Sequence, residues 1–130
     1  MKGSRDIDLQ FAHLKLYEHY VVSSIQEGVS LTKDQLDELF GVFDTYYKGR
    51  PFVSIALREN DYTIDPNLLK SRKHPDLLGI AVVYVNESSK KIAEFERKFY
   101  QGKYEIFPTM KAAQAWADEL LQEYIKKAGL

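Results

Sequence analysis

The segment from residue 44 to residue 66 constrains the fold of this chain more than any other part. A stretch with apolar residues at helical spacing ends at Gly49 and Pro51, and a nearly continuous apolar run, residues 52–57, follows at once. Glycine adopts the left-handed backbone that closes a helix, and proline lacks the amide that would continue it. Such an apolar run predicts a strand buried on both faces, which is typical of a parallel sheet covered by helices. The Asp65–Pro66 pair then predicts a new helix, because Asp caps helices and Pro suits their first position.

The N-terminal part of the chain predicts an antiparallel β-hairpin. Apolar and polar residues alternate from residue 7 to residue 11, and the phase slips at Ala12–His13. We interpret residues 7–16 as one strand whose bulge re-aims its apolar face. The second strand is Tyr20–Ile25, which is rich in Val, Tyr and Ile. Because only a short turn separates the two strands, we expect them to pair in antiparallel fashion.

Helices and strands alternate through the rest of the chain. Thr32 and Gln35 predict a capping box at the first helix, and Leu31 with Leu36 predicts the matching hydrophobic staple. Apolar spacing and cap residues predict the later elements. A short helix packs through Leu68 and Leu69, and a doubly buried strand follows at 77–85. The next helix is capped by Ser88 or Ser89 and packs through Ile92, Phe95 and Phe99; a strand at Tyr104–Phe107 and a last helix capped by Thr109 complete the chain.

The resulting order, β-β-α-β-α-β-α-β-α, predicts an α/β fold. It begins with the hairpin and continues with strand–helix–strand units. Each unit is expected to form a right-handed crossover, so the strands that it joins are parallel. We therefore expect a mixed, largely parallel sheet covered by helices. The chain has 130 residues, so we expect residues 1–130 to form a single domain.

Composition excludes several classes of function. The net charge is −1 and the chain has no Cys, so we expect no nucleic-acid partner, no disulfide and no thiolate metal site. No apolar run approaches the roughly 20 residues of a membrane span. The first residues, Met1 to Asp6, become charged at once and do not resemble a signal peptide. We expect a cytoplasmic protein.

No cluster of residues in the sequence predicts catalysis. The three histidines, His13, His19 and His74, lack the spacing of metal ligands. No serine lies in a Gly-x-Ser-x-Gly elbow, and no glycine belongs to a phosphate-binding loop. The carboxylates of the helices lie at outer-face positions, which favours solvation over acid–base work. We therefore expect no catalytic residue, no metal and no cofactor.

The geometry of a parallel sheet nevertheless predicts where a site would lie. Ligands bind beyond the carboxyl ends of parallel strands. The loop after the buried strand 52–57 reaches this edge and provides our candidates for binding a partner or a ligand: Arg58, Asn60, Asp61, Tyr62, Thr63 and Asp65. The alternative is that these residues serve only as turn and cap residues, which every such loop needs.

The residues around the buried strand carry a resemblance to a known family. Segments 46–52 and 60–66, together with the element order of nearly the whole chain, resemble STAS domains, the SpoIIAA-like fold of bacterial anti-sigma-factor antagonists. Among these, the chain is similar to small stand-alone bacterial STAS/SEC14-like proteins of unknown function. The resemblance implies a regulatory role and a phosphorylatable Ser or Thr at 60–66. This segment has no Asp-Ser pair and no following Gly, and Thr63 is its only hydroxyl of that kind.

Three hypotheses of function follow. The first, from the resemblance, is a non-enzymatic regulatory module that binds a protein partner or a second copy of itself through residues 58–65 or the exposed face of the next helix, Asn67, Lys70 and Ser71. The second is a carrier of a small apolar ligand or lipid, since the tyrosines at 46, 47, 62, 84, 100 and 104 could line a pocket. The third is an enzyme that uses Asp61 or Asp65 with Arg58.

Overall fold

The computed structural model describes residues 3–129. Its elements in chain order are β1 (Arg5–Asp8), β2 (Ala12–Leu16), β3 (Tyr20–Ile25), β4 (Ser30–Leu31), α1 (Lys33–Tyr47), β5 (Phe52–Arg58), β6 (Thr63–Ile64), α2 (Pro66–Ser71), β7 (Leu77–Tyr84), α3 (Glu87–Arg97), β8 (Tyr104–Phe107) and α4 (Met110–Lys127). Within the described part of the chain, no helix is both long and apolar enough to cross a membrane.

The main sheet has six strands in the order β1-β2-β3-β5-β7-β8. The first three strands pair in antiparallel fashion, whereas β3, β5, β7 and β8 are parallel neighbours. This arrangement confirms the predicted mixed, largely parallel sheet. The central strands β5 and β7 are covered by helices on both faces of the sheet, which explains their nearly continuous apolar sequences.

The prediction of one bulged strand at residues 7–16 is wrong. The segment forms two strands, β1 and β2, which turn back on each other, with the Leu9 amide donating to the Ala12 carbonyl at 2.8 Å. Ile7 lies opposite Leu14 in this pairing. A phase slip in the apolar pattern arises equally from a bulge and from a tight turn, so alternation alone could not distinguish them.

Helices cover both faces of the sheet. Alternate residues of β5 and β7, such as Val53, Ile55 and Ala81, pack against α4 through Ala113 and Leu120. We call this side the α4 face.

The opposite residues of the same strands pack against α1 and α3. Phe52 belongs to the cluster that contains the buried residues of α1, and Val82 packs with Ala93 of α3. We call this side the pocket face, because α1 and α3 leave a space between them.

Most helix ends lie where the sequence predicts them. Thr32 and Gln35 form the capping box of α1, Asp65 caps α2 with Pro66 in its first turn, and Thr109 caps α4. At the end of α1 the backbone is left-handed at Gly49, as predicted, and already at Lys48.

Two predictions for α3 are wrong. Asn86 caps the helix, and Ser89 is its reciprocal partner in the capping box. The buried face contains Ala93 and Glu96, whereas Phe95 is 51% exposed. The small side chain of Ala93 allows the helix to approach the sheet closely. Of the three residues predicted to pack, Phe95 is therefore wrong, whereas Ile92 and Phe99 are half-buried.

A second, two-stranded sheet pairs β4 with β6 in parallel. Sequence patterns did not predict it, because each strand has only two residues. It joins the chain before α1 to the chain before α2. We call residues 59–72, which contain β6 and α2, the covering segment, because they extend over the pocket face.

Candidate functional site

A pocket with a volume of about 130 Å³ lies on the pocket face of the sheet. Its floor is formed by β3, β5 and β7, and its walls by α1, the covering segment and the region from α3 to β8. Most of the lining is apolar, and its large aliphatic and phenylalanine side chains are Ile25, Leu31, Leu36, Leu39, Phe40, Phe43, Ile64, Leu68, Leu69, Leu77, Ile80 and Val82.

One end of the pocket contains a buried ion pair between Arg58 and Glu96. Arg58 is the last residue of β5, and Glu96 lies on the buried face of α3. Arg58 Nη1 donates to Glu96 Oε1 at 2.6 Å, and Nη2 donates to Oε2 at 3.0 Å. Their side chains are 2% and 7% exposed. The two parallel bonds have the geometry that makes Arg–carboxylate pairs strong and specific.

Two tyrosines complete the surroundings of this ion pair. The Tyr62 ring lies 4.1 Å from the guanidinium carbon of Arg58, and the Tyr62 carbonyl accepts from Arg58 Nη2 at 3.1 Å. The Tyr104 hydroxyl donates to Glu96 Oε1 at 3.3 Å. Both Nη atoms of Arg58 and both carboxylate oxygens of Glu96 therefore have partners that compensate for their lost hydration.

The pKa values of Arg58 and of the two tyrosines keep the charge states of these three groups fixed near neutral pH. Burial by itself would lower the pKa of Arg58, but its hydrogen bonds to Glu96 raise that pKa above its usual value. Burial raises the pKa of Tyr62 and of Tyr104. The tyrosines are consequently neutral hydroxyl groups, and Arg58 remains a cation balanced by Glu96.

Tyr100 lines the same end of the pocket. Its hydroxyl is buried and has no hydrogen-bond partner among the described residues. Burial raises the pKa of Tyr100 to about 12, so the group is protonated. Its ring lies 6.0 Å from that of Tyr104. Buried polar groups in proteins are nearly always hydrogen-bonded, and an unpaired one costs on the order of 1–3 kcal/mol.

His74 and Arg72 line the opposite end of the pocket. The buried His74 ring lies against Phe40 and Phe52. Its Nδ1 accepts from the Asp76 amide at 3.1 Å, so Nε2 carries the hydrogen and donates to Asp44 at 2.7 Å.

Arg72 follows α2 directly. It forms an ion pair with Asp37 of α1, and its guanidinium lies 5.6 Å from the centre of the Phe40 ring. Arg72 therefore ties the end of the covering segment to α1.

Hydrogen bonds also attach the beginning of the covering segment to the turn before α1. The Thr63 amide donates to the Val29 carbonyl at 3.0 Å, and the Gly28 amide donates to the Asp61 carbonyl at 2.7 Å. The Asn60 side-chain amide donates to the Ile25 carbonyl at 3.0 Å. The segment is thus held at both ends, while its middle, α2, contributes Leu69 to the pocket.

The six residues that the sequence places in one loop divide between two environments. Arg58 and Tyr62 are buried in the pocket wall, and Asn60 is half-buried and bonded to the backbone. Asp61, Thr63 and Asp65 are exposed on the outer side, as are the predicted helix-face residues Asn67, Lys70 and Ser71. Asp65 also accepts from the Asn67 amide as the cap of α2.

Sequence reasoning missed Glu96, the partner of Arg58. One signal could have indicated it: Arg58 ends a strand that is buried on both faces, and a buried cation requires an anion. Ala93, Glu96 and Tyr100 recur at helical spacing, so the sequence did offer an acidic residue on one side of α3.

In residues 3–129, no group of three or more His, Cys, Asp or Glu is arranged to hold a metal ion.

Comparison with solved structures finds a protein of similar fold. An uncharacterized protein of the DUF3478 family from Shewanella loihica PV-4, with a SpoIIAA-like fold, superimposes with a TM-score of 0.52. The two chains are 15% identical over 90% of this chain and 95% of the other. No protein-family model and no curated protein matches the chain. At this identity the match concerns the fold alone.

Proposed function

This chain has the SpoIIAA-like fold, also called the STAS fold, and on that premise we propose that it is a non-enzymatic regulatory module that binds a protein partner. The proposed binding surface is the outer side of the covering segment. The observation that supports it is the division of residues 58–65: Arg58 and Tyr62 serve the interior, whereas Asp61 and Thr63 are exposed. Folding alone does not require an acid at position 61 or a hydroxyl at position 63. These two exposed side chains are therefore available for recognition.

We propose that this binding does not depend on phosphorylation of Thr63. Its hydroxyl bonds to the Ser30 hydroxyl at 3.2 Å, and exposed carboxylates lie two residues away on both sides, at Asp61 and Asp65. A phosphate there would be repelled by like charges. The module would accordingly bind its partner through its unmodified surface.

A charge-reversal capture experiment tests this proposal. The variant Asp61→Arg/Lys70→Glu inverts two exposed charges on the outer side without touching the pocket. The matched control, Lys111→Glu/Asp118→Arg, inverts two exposed charges on α4. We expect the wild type and the control to retain the same specific proteins from native lysate and the first variant to lose them. Identical partners for all three proteins, or none, would refute the proposed surface.

The pocket supports a second candidate function, the binding of a small apolar ligand. Its lining is mostly apolar, as in ligand sites, and its volume of about 130 Å³ restricts the ligand to a small molecule. Protein purified without detergent and measured by native mass spectrometry would carry a defined adduct. A mass equal to the chain alone after purification from its native source would argue against a tightly held ligand.

A further inference from the structure

We infer that the outer edge of β1 binds an extended segment of another protein, as an added strand in which basic and apolar residues alternate. This surface shares no residue with the covering segment, so the inference goes beyond the proposed function. Three observations carry it: outward-facing backbone groups on β1, two exposed aspartates at the same positions, and an apolar groove between β1 and α1.

The outer edge of β1 offers backbone groups for strand pairing. β1 is the first strand of the main sheet, and among residues 3–129 no strand lies on its other side. Leu9 and Ala12 exchange backbone hydrogen bonds at the turn to β2. Bonded and non-bonded pairs alternate along antiparallel strands, so Ile7, two positions before Leu9, also bonds to β2. The amides and carbonyls of Asp6 and Asp8 consequently face outward.

An apolar groove lies beside these groups. Its walls include Ile7 of β1 and Val42 and Tyr46 of α1, all half-buried. A Cβ atom added at Gly41, which lines the same groove, would meet no atom within 4 Å. In an added antiparallel strand, the residue opposite Ile7 lies at a non-bonded pair, where side chains approach most closely. An apolar side chain at that position would pack in the groove.

The aspartates favour basic residues in the added strand. Asp6 and Asp8 are exposed and would lie directly opposite its residues, where opposite charges stabilise the pairing. His13, which contacts both carboxylates, and Lys15, which lies opposite Asp6, belong to β2. They are two strand spacings, roughly 10 Å, from the added strand. Screening over that distance makes their effect on it weaker than that of the aspartates.

The same aspartates disfavour a second copy of this chain as the occupant. Two copies of β1 would bond through their outward groups, which belong to Asp6 and Asp8. In each such antiparallel register in which residues 6–8 of the two copies overlap, an aspartate of one copy faces an aspartate of the other. Like charges directly opposite each other destabilise strand pairing. The edge therefore suits a basic strand from a different protein.

Binding of two designed peptides tests the inference. In one peptide Lys alternates with Val, and in the other Glu alternates with Val. Each is added to the isotope-labelled wild-type chain at neutral pH, and amide chemical shifts are followed by two-dimensional NMR. We expect the Lys–Val peptide to shift the amides of Asp6 and Asp8 and to bind about tenfold more tightly than the Glu–Val peptide.

Three variants separate the contributions of charge, backbone and groove. Asp6→Asn removes one charge and keeps the amide, so it should weaken the Lys–Val peptide up to about fivefold. Asp6→Pro also removes the outward amide, a change that an edge strand tolerates, and should weaken the peptide at least about threefold further. Gly41→Leu fills the groove from a helical position that favours Leu over Gly and should also weaken the peptide at least about threefold.

Two controls accompany these variants. Glu105→Gln removes a charge from β8, the strand at the opposite edge of the sheet, and should leave the binding of the Lys–Val peptide unchanged. Thermal melting shows whether each variant is folded. If Asp6→Pro does not fold, the effect of Gly41→Leu decides whether the peptide occupies this edge.

Several results would overturn the inference. They are the absence of shifts at β1 with either peptide, equal binding of the two peptides, equal binding by folded Asp6→Pro and Asp6→Asn, and unchanged binding by Gly41→Leu. Concentration-dependent dimerisation of the wild type with shifts at β1 would instead identify a second copy as the occupant. The charge-reversal capture changes no residue of this edge, so the proposed function and this inference can fail separately.

Discussion

The two faces of the central sheet are built on opposite principles. Small and aliphatic side chains of the sheet and of α4 fill the α4 face: Val53, Ile55, Ala81, Val83, Ala113, Ala117 and Leu120. The pocket face instead contains a buried ion pair, a buried histidine, an unpartnered hydroxyl and an open volume. Close packing stabilises a fold, whereas polar groups in the interior add little net stability. The α4 face therefore contributes close packing, whereas the pocket face contains the polar groups and the open volume of the interior.

The largest expected effect concerns the buried ion pair. Glu96→Leu removes the carboxylate that balances Arg58, so we expect the free energy of unfolding to fall by about 3–5 kcal/mol. Urea denaturation followed by circular dichroism measures it. The double variant Arg58→Met/Glu96→Leu leaves no unpaired charge and should recover most of this loss. Equal destabilisation by the single and the double variant would contradict the view that the pair adds little net stability.

The next largest effect is expected when a larger side chain is introduced on each face of the sheet, because the two faces differ in available space. A Cβ atom added at Gly79, on the α4 face, would lie 2.9 Å from side-chain atoms of Leu120 and Trp116. We expect Gly79→Ala to lower the free energy of unfolding by about 1–3 kcal/mol through overpacking. Ala56→Leu, on the pocket face, should leave it unchanged or raise it by about 0.5 kcal/mol, since it fills open volume. Thermal denaturation of the two variants measures the contrast, and a larger loss for Ala56→Leu would reverse it.

A smaller effect is expected when a helix cap is removed on either face of the sheet. Asp65→Ala removes the cap of α2, and Thr109→Ala removes the cap of α4; each should cost about 1 kcal/mol. Because α2 has six residues and belongs to the covering segment, we expect its loss to appear as local opening. Hydrogen exchange should accelerate at the Leu68 and Leu69 amides, which bond to the Asp65 carbonyl, with little change in global stability. Thr109→Ala should instead lower global stability.

The smallest effect is expected at the edge of the sheet, where the charges are exposed. A hydrogen bond to Asp8 at 2.5 Å, with a second to Asp6 at 3.2 Å, raises the pKa of His13. Because the pKa of His13 is higher in the folded state, protonated His13 stabilises the fold. This stabilisation is fully present below the pKa of the unfolded state, about 6.5, and is lost as pH rises through the pKa of the folded state. Solvent screening limits it to about 0.2–0.5 kcal/mol.

Urea denaturation of the wild type and His13→Gln at pH 5.5 and at pH 8.5 checks whether the contribution of His13 to stability falls as pH rises. The wild type should exceed His13→Gln in stability at the lower pH by the amount given, and the difference should vanish at the higher pH. The Arg58–Glu96 pair provides the contrast, because Arg58 keeps its charge throughout this range. A difference between wild type and His13→Gln that grows with pH would show that the hydrogen bonds do not act as described.

The sequence predicted well wherever neighbouring residues decide the structure. The capping box of Thr32 and Gln35, the start of α2 at Asp65–Pro66 and the buried strand after Pro51 all depend on residues a few positions apart. The turn between β1 and β2 and the cap at Asn86 were predicted incorrectly, because two local solutions were compatible with the same pattern. The two-residue strands β4 and β6 were too short to produce any pattern.

The sequence by itself therefore determined the order of the four helices among the longer strands and the mixed, largely parallel sheet, since caps and buried strands are specified by local chemistry. Only the tertiary structure decided which side of α3 faces inward and which residues of 58–65 enter the pocket. Arg58 and its partner Glu96 are 38 positions apart, and no local pattern relates residues at that distance. The site depends on this long-range pairing, because a buried charge without its partner is strongly destabilising.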